Sequence, residues 1–251
     1  MNSVAHKLHK IAAIARGGGR SFKSRVVDDI WIKWPVEQSR QFWRGEHPDS
    51  RLIRFLIGQF PERGVFFDIG TNVGLYSIAL ATALGSRFKG VAFEPCPSTV
   101  QCLGKNLALN GVTSVEVFQT ALSSSAGTMT LSNYPNGLNN FRVSGGANNH
   151  PTVEVPTMTL DSFCARENIA PDVCKIDVEA HELHVLMGGQ ATLQRRNPVL
   201  LIEIHGASLT AADRESILHR LKDYGYEKIS DIDGRTISTL PDRTLHILCT
   251  P

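Results

Sequence analysis

The chain has 251 residues, 42% hydrophobic and 20% charged, a balance that supports a sizeable core and excludes a disordered or fibrous polypeptide. Lys+Arg 26 against Asp+Glu 24 gives a formal net charge of only +2, so no general basic surface for nucleic acid is expected. The five cysteines, Cys96, Cys102, Cys164, Cys174 and Cys249, are scattered with no C-x-x-C pair, which favours neither a disulfide framework nor a cysteine zinc site.

At the start, Val4, Leu8, Ile11 and Ala15 fall on one face at helical spacing until Gly17, Gly18 and Gly19 stop the run. Lys7, Lys10, Arg16, Arg20, Lys23 and Arg25 make this end basic, and no acid occurs before Asp28. The segment reads as a short docking helix, or as a weak contact of residues 4–25 with an anionic membrane surface. It lacks the continuous apolar core of a signal peptide, and the longest uncharged apolar run, 74–85, is too short to span a bilayer; the expected compartment is the cytoplasm. Residues 20–63 carry Trp31, Trp34 and Trp43 and read as a strand-like piece followed by two helices. They form the main part of a helical, tryptophan-containing lid over 1–63, ahead of a principal domain over 64–251.

From Gly64 onward, strand-like runs at 65–69, 88–93, 114–118, 173–176, 198–204 and 245–248 alternate with helix-like segments at 75–84, 98–109, 160–167, 182–195 and 211–224. This rhythm predicts an α/β fold with a parallel sheet covered on both faces. Residues 128–156 interrupt it. Asn133, Asn136, Asn139, Asn140, Asn148 and Asn149 crowd this stretch, which reads as an irregular substrate-side insertion or a surface excursion.

The stretch Phe67-Asp68-Ile69-Gly70-Thr71-Asn72-Val73-Gly74 ends a strand in an acid, turns through two glycines and feeds a helix. Asn72 stands where the Gly-x-G-x-x-G fingerprint needs its second glycine, and no Gly-Lys-Ser/Thr follows, so dinucleotide and P-loop readings are disfavoured. An acid before the first glycine suits a cationic ligand such as S-adenosylmethionine. Glu94 closes the next strand, where a carboxylate can accept hydrogen bonds from both ribose hydroxyls. Further on, Asp177 and Glu179 share one face and Glu203 and His205 another. Neighbouring strands would bring the four together, offering Asp177 or His205 as general base and oxygen ligands for a divalent cation. His181-Glu182-Leu183-His184 fails the zincin spacing and reads as an exposed helix start.

These pieces, with Phe93-Glu94-Pro95, Thr159-Leu160-Asp161, Lys175-Ile176-Asp177-Val178-Glu179 and Ile202-Glu203 in the same order, resemble the FkbM-type family of S-adenosylmethionine-dependent methyltransferases. The resemblance runs from about 64 to 206. It implies a Rossmann-like class I methyltransferase sheet of seven mostly parallel strands. It also implies O-methylation of a hydroxyl on a sugar, glycolipid or polyketide-type small molecule. Carried over, Asp68, Gly70, Asn72 and Gly74 line the methionine end of the cofactor and Glu94 its ribose, while Asp177 and Glu179 lie near the acceptor. Two residues depart from the pattern: Thr71 replaces an alanine, and Ala180 replaces a glycine, a strained choice if the turn needs a positive φ. The chain contains no Pro-Pro, so the Asp/Asn-Pro-Pro-Tyr/Phe motif of amine-directed methyltransferases is missing and an oxygen acceptor is expected. A catalytically silent binding subunit and a nicotinamide-dependent oxidoreductase are the alternatives on a sheet of this kind.

Overall fold

The computed structural model describes residues 21–35, 38, 47–134, 140–143 and 151–251. The amphipathic run expected over 4–15 and Trp43 lie outside the described residues. The central sheet has seven strands: β3 (Gly64–Ile69), β4 (Phe88–Phe93), β5 (Val115–Phe118), β10 (Val173–Ile176), β11 (Val199–His205), β12 (Lys228–Ser230) and β13 (Thr244–Thr250). Their order is β12-β13-β11-β10-β3-β4-β5, with β13 antiparallel to both of its neighbours and every other pair parallel. This is the mostly parallel seven-stranded sheet implied by the resemblance. The three-residue β12 carries too few apolar positions to be read from the sequence.

The chain starts the parallel sheet at β3, builds outward through β4 and β5, and returns to the other side of β3 with β10. The order therefore reverses between β3 and β10, where an α/β sheet opens a crevice at its carboxyl edge. Helices α2 (Leu75–Leu84), α3 (Pro97–Leu109), α4 (Leu160–Glu167), α5 (Glu182–Gly188), α6 (Gln190–Arg196) and α7 (Ala211–Asp223) connect the strands. The expected helix over 182–195 is two helices broken at Gly189.

Helix α2 is apolar all round and buries every residue from Leu75 to Ala81. Such a helix needs cover on its outer side as well as from the sheet. That cover is supplied by β1 (Ser21–Val27) and β2 (Ile30–Pro35), an antiparallel hairpin, together with α1 (Ser50–Gln59). Trp34 is fully buried there, its indole N–H donating to Ser24 Oγ at 2.9 Å. Phe22, Ile32, Trp34, Leu52, Ile53 and Leu56 pack in one core with Phe66 and Ile78. The described part of the 1–63 extension is a hairpin and one helix, and its core is continuous with that of the sheet. Its edge is tied down by Asn110, which accepts from Lys33 N at 2.8 Å and donates to Lys33 O at 2.9 Å.

The described residues of the insertion at 128–156 are mostly strand. Strands β6 (Ala121–Leu122), β7 (Gly127–Tyr134), β8 (Asn140–Val143) and β9 (Thr152–Met158) form a second sheet of order β6-β9-β7-β8. Met129 and Leu131 alternate with Thr128, Thr130 and Ser132, a period-2 pattern masked by the asparagines around it. No described helix is long and apolar enough to cross a membrane.

Trp34→Ala is expected to cost roughly 3–5 kcal/mol in chemical denaturation. Trp31→Ala, at a side chain 52% exposed, should stay within about 0.5 kcal/mol. Equal small effects would show that the hairpin is not part of the folding core.

Candidate functional site

The crevice at the β3/β10 reversal is a cavity of about 720 Å³, counting open solvent at its mouth. Gly70, Asn72 and Glu94 line one side, Leu122, Met129 and Leu131 of the second sheet another, and Asp177, Glu179 and His181 a third. Behind it, Phe93, Phe118 and Phe163 pack edge-to-face or stacked, with centroids 4.7–5.9 Å apart.

The 68–74 loop is held from below. Asp68 is fully buried, and its Oδ2 accepts from Thr71 Oγ1 at 2.8 Å, Ser77 N at 3.1 Å and Ser77 Oγ at 2.6 Å. Asp68 is not among the residues that line the cavity: its Oδ2 faces the loop and the start of α2, while its Oδ1 is buried without a hydrogen-bond partner, 3.8 Å from Lys175 Nζ. Gly74, with φ +93, caps α2 and packs against Leu103, also away from the cavity. Gly70 does face it. Its φ is +75, and a Cβ there would run into the backbone oxygen of Asp177, so only glycine lets the two strand ends approach this closely. Asn72 adopts φ +51 and lines the cavity, its Oδ1 buried without a hydrogen-bond partner.

Glu94 accepts from the backbone N–H of Asn72 at 3.1 Å and of Cys96 at 3.0 Å, one on each carboxylate oxygen. Burial pushes its pKa up to about 7 against those two hydrogen bonds.

At the other end, the adjacent parallel strands β10 and β11 bring Asp177, Glu179, Glu203 and His205 together as expected. Asp177 Oδ2 accepts from Lys175 Nζ at 3.0 Å, and the same ammonium donates to Gly70 O at 3.0 Å. Burial raises the Asp177 pKa, opposed by the Lys175 charge. His205 Nε2 faces Glu179 at 3.5 Å and Asp177 and Glu203 at 3.9 Å each, while its Nδ1 donates to Glu182 Oε1 at 2.8 Å. Burial disfavours the imidazolium. The hydrogen bond and charge of Glu182, with the charges of Asp177 and Glu179, outweigh it and raise His205 to about 9. Burial likewise works against ionised Glu203, yet His246, 3.3 Å from its Oε2, and the charges of His205 and Lys175 bring it down to about 2.

Four participants were not foreseen: Lys175, Glu182, His246 and Tyr76, whose ring lies 5.3 Å from Lys175 Nζ. Glu182 is fully buried although it opens α5. The signal for it was an acid at a helix start, shortly after a strand end followed by two further acids. His181 is also not simply exposed: it lines the cavity, lies 2.9 Å from Ser123 Oγ, and is lowered to about 4 by burial and by His184. Glu179 and Ala180 adopt φ +52 and +75, so the alanine does occupy a left-handed turn.

The family model described as the methyltransferase FkbM domain matches residues 68–228. Among curated proteins, the hexuronic acid methyltransferase AglP of Haloferax volcanii is 28% identical over 222 residues, 86% of this chain and 87% of its own length. Methyltransferase sdnD of Sordaria araneosa is 41% identical over 81 residues, 32% of this chain and 31% of its own. Among solved structures, a methyltransferase FkbM from Methylobacillus flagellatus is 17% identical with a TM-score of 0.49, covering 75% of this chain and 44% of its own.

Ala180→Gly should relieve the left-handed strain and raise stability by about 1 kcal/mol in urea unfolding. An unchanged or lower midpoint would mean the turn carries no strain at Ala180.

Proposed function

The chain belongs to the FkbM methyltransferase family, and from that premise we propose that it works in the cytoplasm, transferring a methyl group from S-adenosylmethionine to a hydroxyl of a sugar, glycolipid or polyketide-type small molecule. One observation carries the reading. A single cavity joins the Gly70, Asn72 and Glu94 end to the Asp177 and Glu179 end.

The donor end fits the methyl donor. The Oδ1 of Asn72 is a buried acceptor without a protein donor, a natural partner for an ammonium, and Gly70 lets the ends of β3 and β10 close together beside it. When bound, S-adenosylmethionine supplies a methyl carried on a positively charged sulfur. Glu94, at the tip of the second strand, is placed to accept the ribose hydroxyls. Asp177 and Glu179 give the far end a negative potential that favours a cationic donor and take the proton released by the acceptor hydroxyl, a contribution of roughly 10²–10⁴-fold. Holding the two reactants in line in one cavity contributes up to about 7–11 kcal/mol.

An oxygen acceptor is supported by Lys175-Ile176-Asp177 at the strand end where amine-directed enzymes carry Pro-Pro. A sugar acceptor is supported by the name of the Haloferax volcanii relative, which the match spans over most of its length. The five cysteines are free thiols, in keeping with a reducing compartment.

Calorimetry should show S-adenosylmethionine binding and no binding of NAD as control ligand. Asp177→Asn should lower that affinity by no more than about 10-fold and lose turnover, read as S-adenosylhomocysteine release, by about 100-fold or more. Full turnover in that variant would remove Asp177 from the chemistry.

A second expectation concerns pH. With Glu94 near 7, its carboxylate protonates as pH falls, and an acceptor of the ribose hydroxyls is lost. Affinity for S-adenosylmethionine should therefore fall several-fold between about pH 8 and pH 6, and Glu94→Gln should flatten that slope. A slope of equal size in the variant would assign the titration elsewhere.

A further inference from the structure

We propose that Asp177, Glu203 and His205 form a site for a single divalent cation that anchors the acceptor hydroxyl, with Glu182 as the residue that positions His205. Anchoring of the acceptor hydroxyl rests on the methyl-transfer reading above; the ion site itself does not.

Asp177 Oδ1, Glu203 Oε1 and His205 Nε2 converge on one point. Each oxygen lies 3.9 Å from the ring nitrogen, and the three residues offer ligand atoms all within 4.8 Å of one another. Around an ion with bonds of about 2.1 Å, ligand atoms stand roughly 3 Å apart when adjacent and roughly 4.2 Å when opposite, so small side-chain rotations suffice to close the site.

The other polar atom of each residue has a dedicated partner. Lys175 Nζ holds Asp177 Oδ2 at 3.0 Å, His246 stands 3.3 Å from Glu203 Oε2, and Glu182 Oε1 takes His205 Nδ1 at 2.8 Å. Fixing the outer atom of every ligand while the inner atoms face one another is how metal sites orient their ligands. An ion-pair cluster formed for its own sake would close Nε2 onto one carboxylate at about 2.8 Å. Instead Nε2 stays at 3.5–3.9 Å from three of them.

Glu182 supplies an independent observation. It is fully buried, its Oε1 serves His205 Nδ1 and Ala180 N, and its Oε2 has no hydrogen-bond partner. A carboxylate kept this deep is costly unless its charge is answered. Asp68, Asp177 and Glu203 act on one lysine ammonium, while Glu179 and Glu182 face the His205 ring. Five carboxylates thus share that lysine and that histidine, and a dication at the convergence point redresses the excess. Two carboxylates and one imidazole suit Mn²⁺ or Mg²⁺ among common divalent ions.

The site borders the cavity through Asp177. A hydroxyl bound to the cation there loses its proton more readily. Because Asp177 then serves as a ligand, Glu179, which also lines the cavity, is left to accept the proton.

The test is Mn²⁺ titrated into the full-length chain without cofactor or acceptor, with free Mn²⁺ read by electron paramagnetic resonance. A single site per chain, displaced by Mg²⁺, is expected. Affinity should fall at least about 10-fold in His205→Ala and in the near-isosteric Glu203→Gln, and about 10–100-fold in Glu182→Gln. Circular dichroism checks that each variant is folded. No binding at millimolar Mn²⁺, or equal affinity in folded His205→Ala and Glu203→Gln, overturns the site. S-adenosylmethionine calorimetry on the same samples separates the two readings. Donor binding without Mn²⁺ binding removes the ion site alone, whereas Mn²⁺ binding without donor binding supports the site and sinks the methyl-donor reading.

Discussion

Lys175 places an ammonium where the two central strands of the sheet end. Its side chain is almost wholly buried, and it donates to Gly70 O and Asp177 Oδ2, stands 3.8 Å from Asp68 Oδ1 and faces the Tyr76 ring. The register pairs Lys175 with Asp68 across β10 and β3, so one cation answers the acid beneath the loop and the acid at the reaction end. Asp68 is fully buried and Asp177 partly so, and leaving a buried charge unpaired costs several kcal/mol. The burial that disfavours the ammonium is outweighed by Asp177 and Asp68, and its pKa rises rather than falls. The Gly70 loop and the Asp177 end of the cavity are therefore one electrostatic unit.

The walls of that cavity differ in kind. The central sheet contributes charge and backbone polar groups, while Met129 and Leu131 of the second sheet contribute apolar surface. A cation-bearing ligand with an apolar body suits such a division, and a pyrophosphate does not, because it would meet Glu94, Asp177 and Glu179 without a glycine-rich anion cradle. The same division separates Asp68 from Glu94. Both end neighbouring strands in an acid, yet one is spent on the loop and only the other reaches the cavity.

The parallel sheet was legible in the sequence because strands buried on both faces read as continuous apolar runs, and the acid–glycine loop because its φ demands restrict residue choice. The roles within it were less legible. Asp68 and Thr159-Leu160-Asp161 look like site motifs, yet Asp161 accepts from Ala191 N at 3.0 Å and Thr192 N at 2.7 Å and so caps α6. Glu182 and His246 became site neighbours only through pairing of distant segments; His246 lies opposite Glu203 across β11 and β13. The second sheet was hidden by asparagines flanking its alternation. The hairpin was hidden because the need for it lies in α2, whose uncharged outer face asks for cover that composition alone does not locate.

The turn at Glu179 and Ala180 shows why the acid cluster is aimed as it is. Two consecutive non-glycine residues at positive φ are costly by about 1–3 kcal/mol each, and they persist because Ala180 N is held by Glu182 Oε1 at 3.0 Å. The same oxygen holds His205 Nδ1. One carboxylate thus fixes the strained turn that carries Glu179 and the ring that faces it, so the spacing between Glu179 and His205 is set from a single buried point. A glycine in place of Ala180 would ease the backbone but remove the constraint that makes this turn rigid, and rigidity is what holds a carboxylate 3.5 Å from an imidazole.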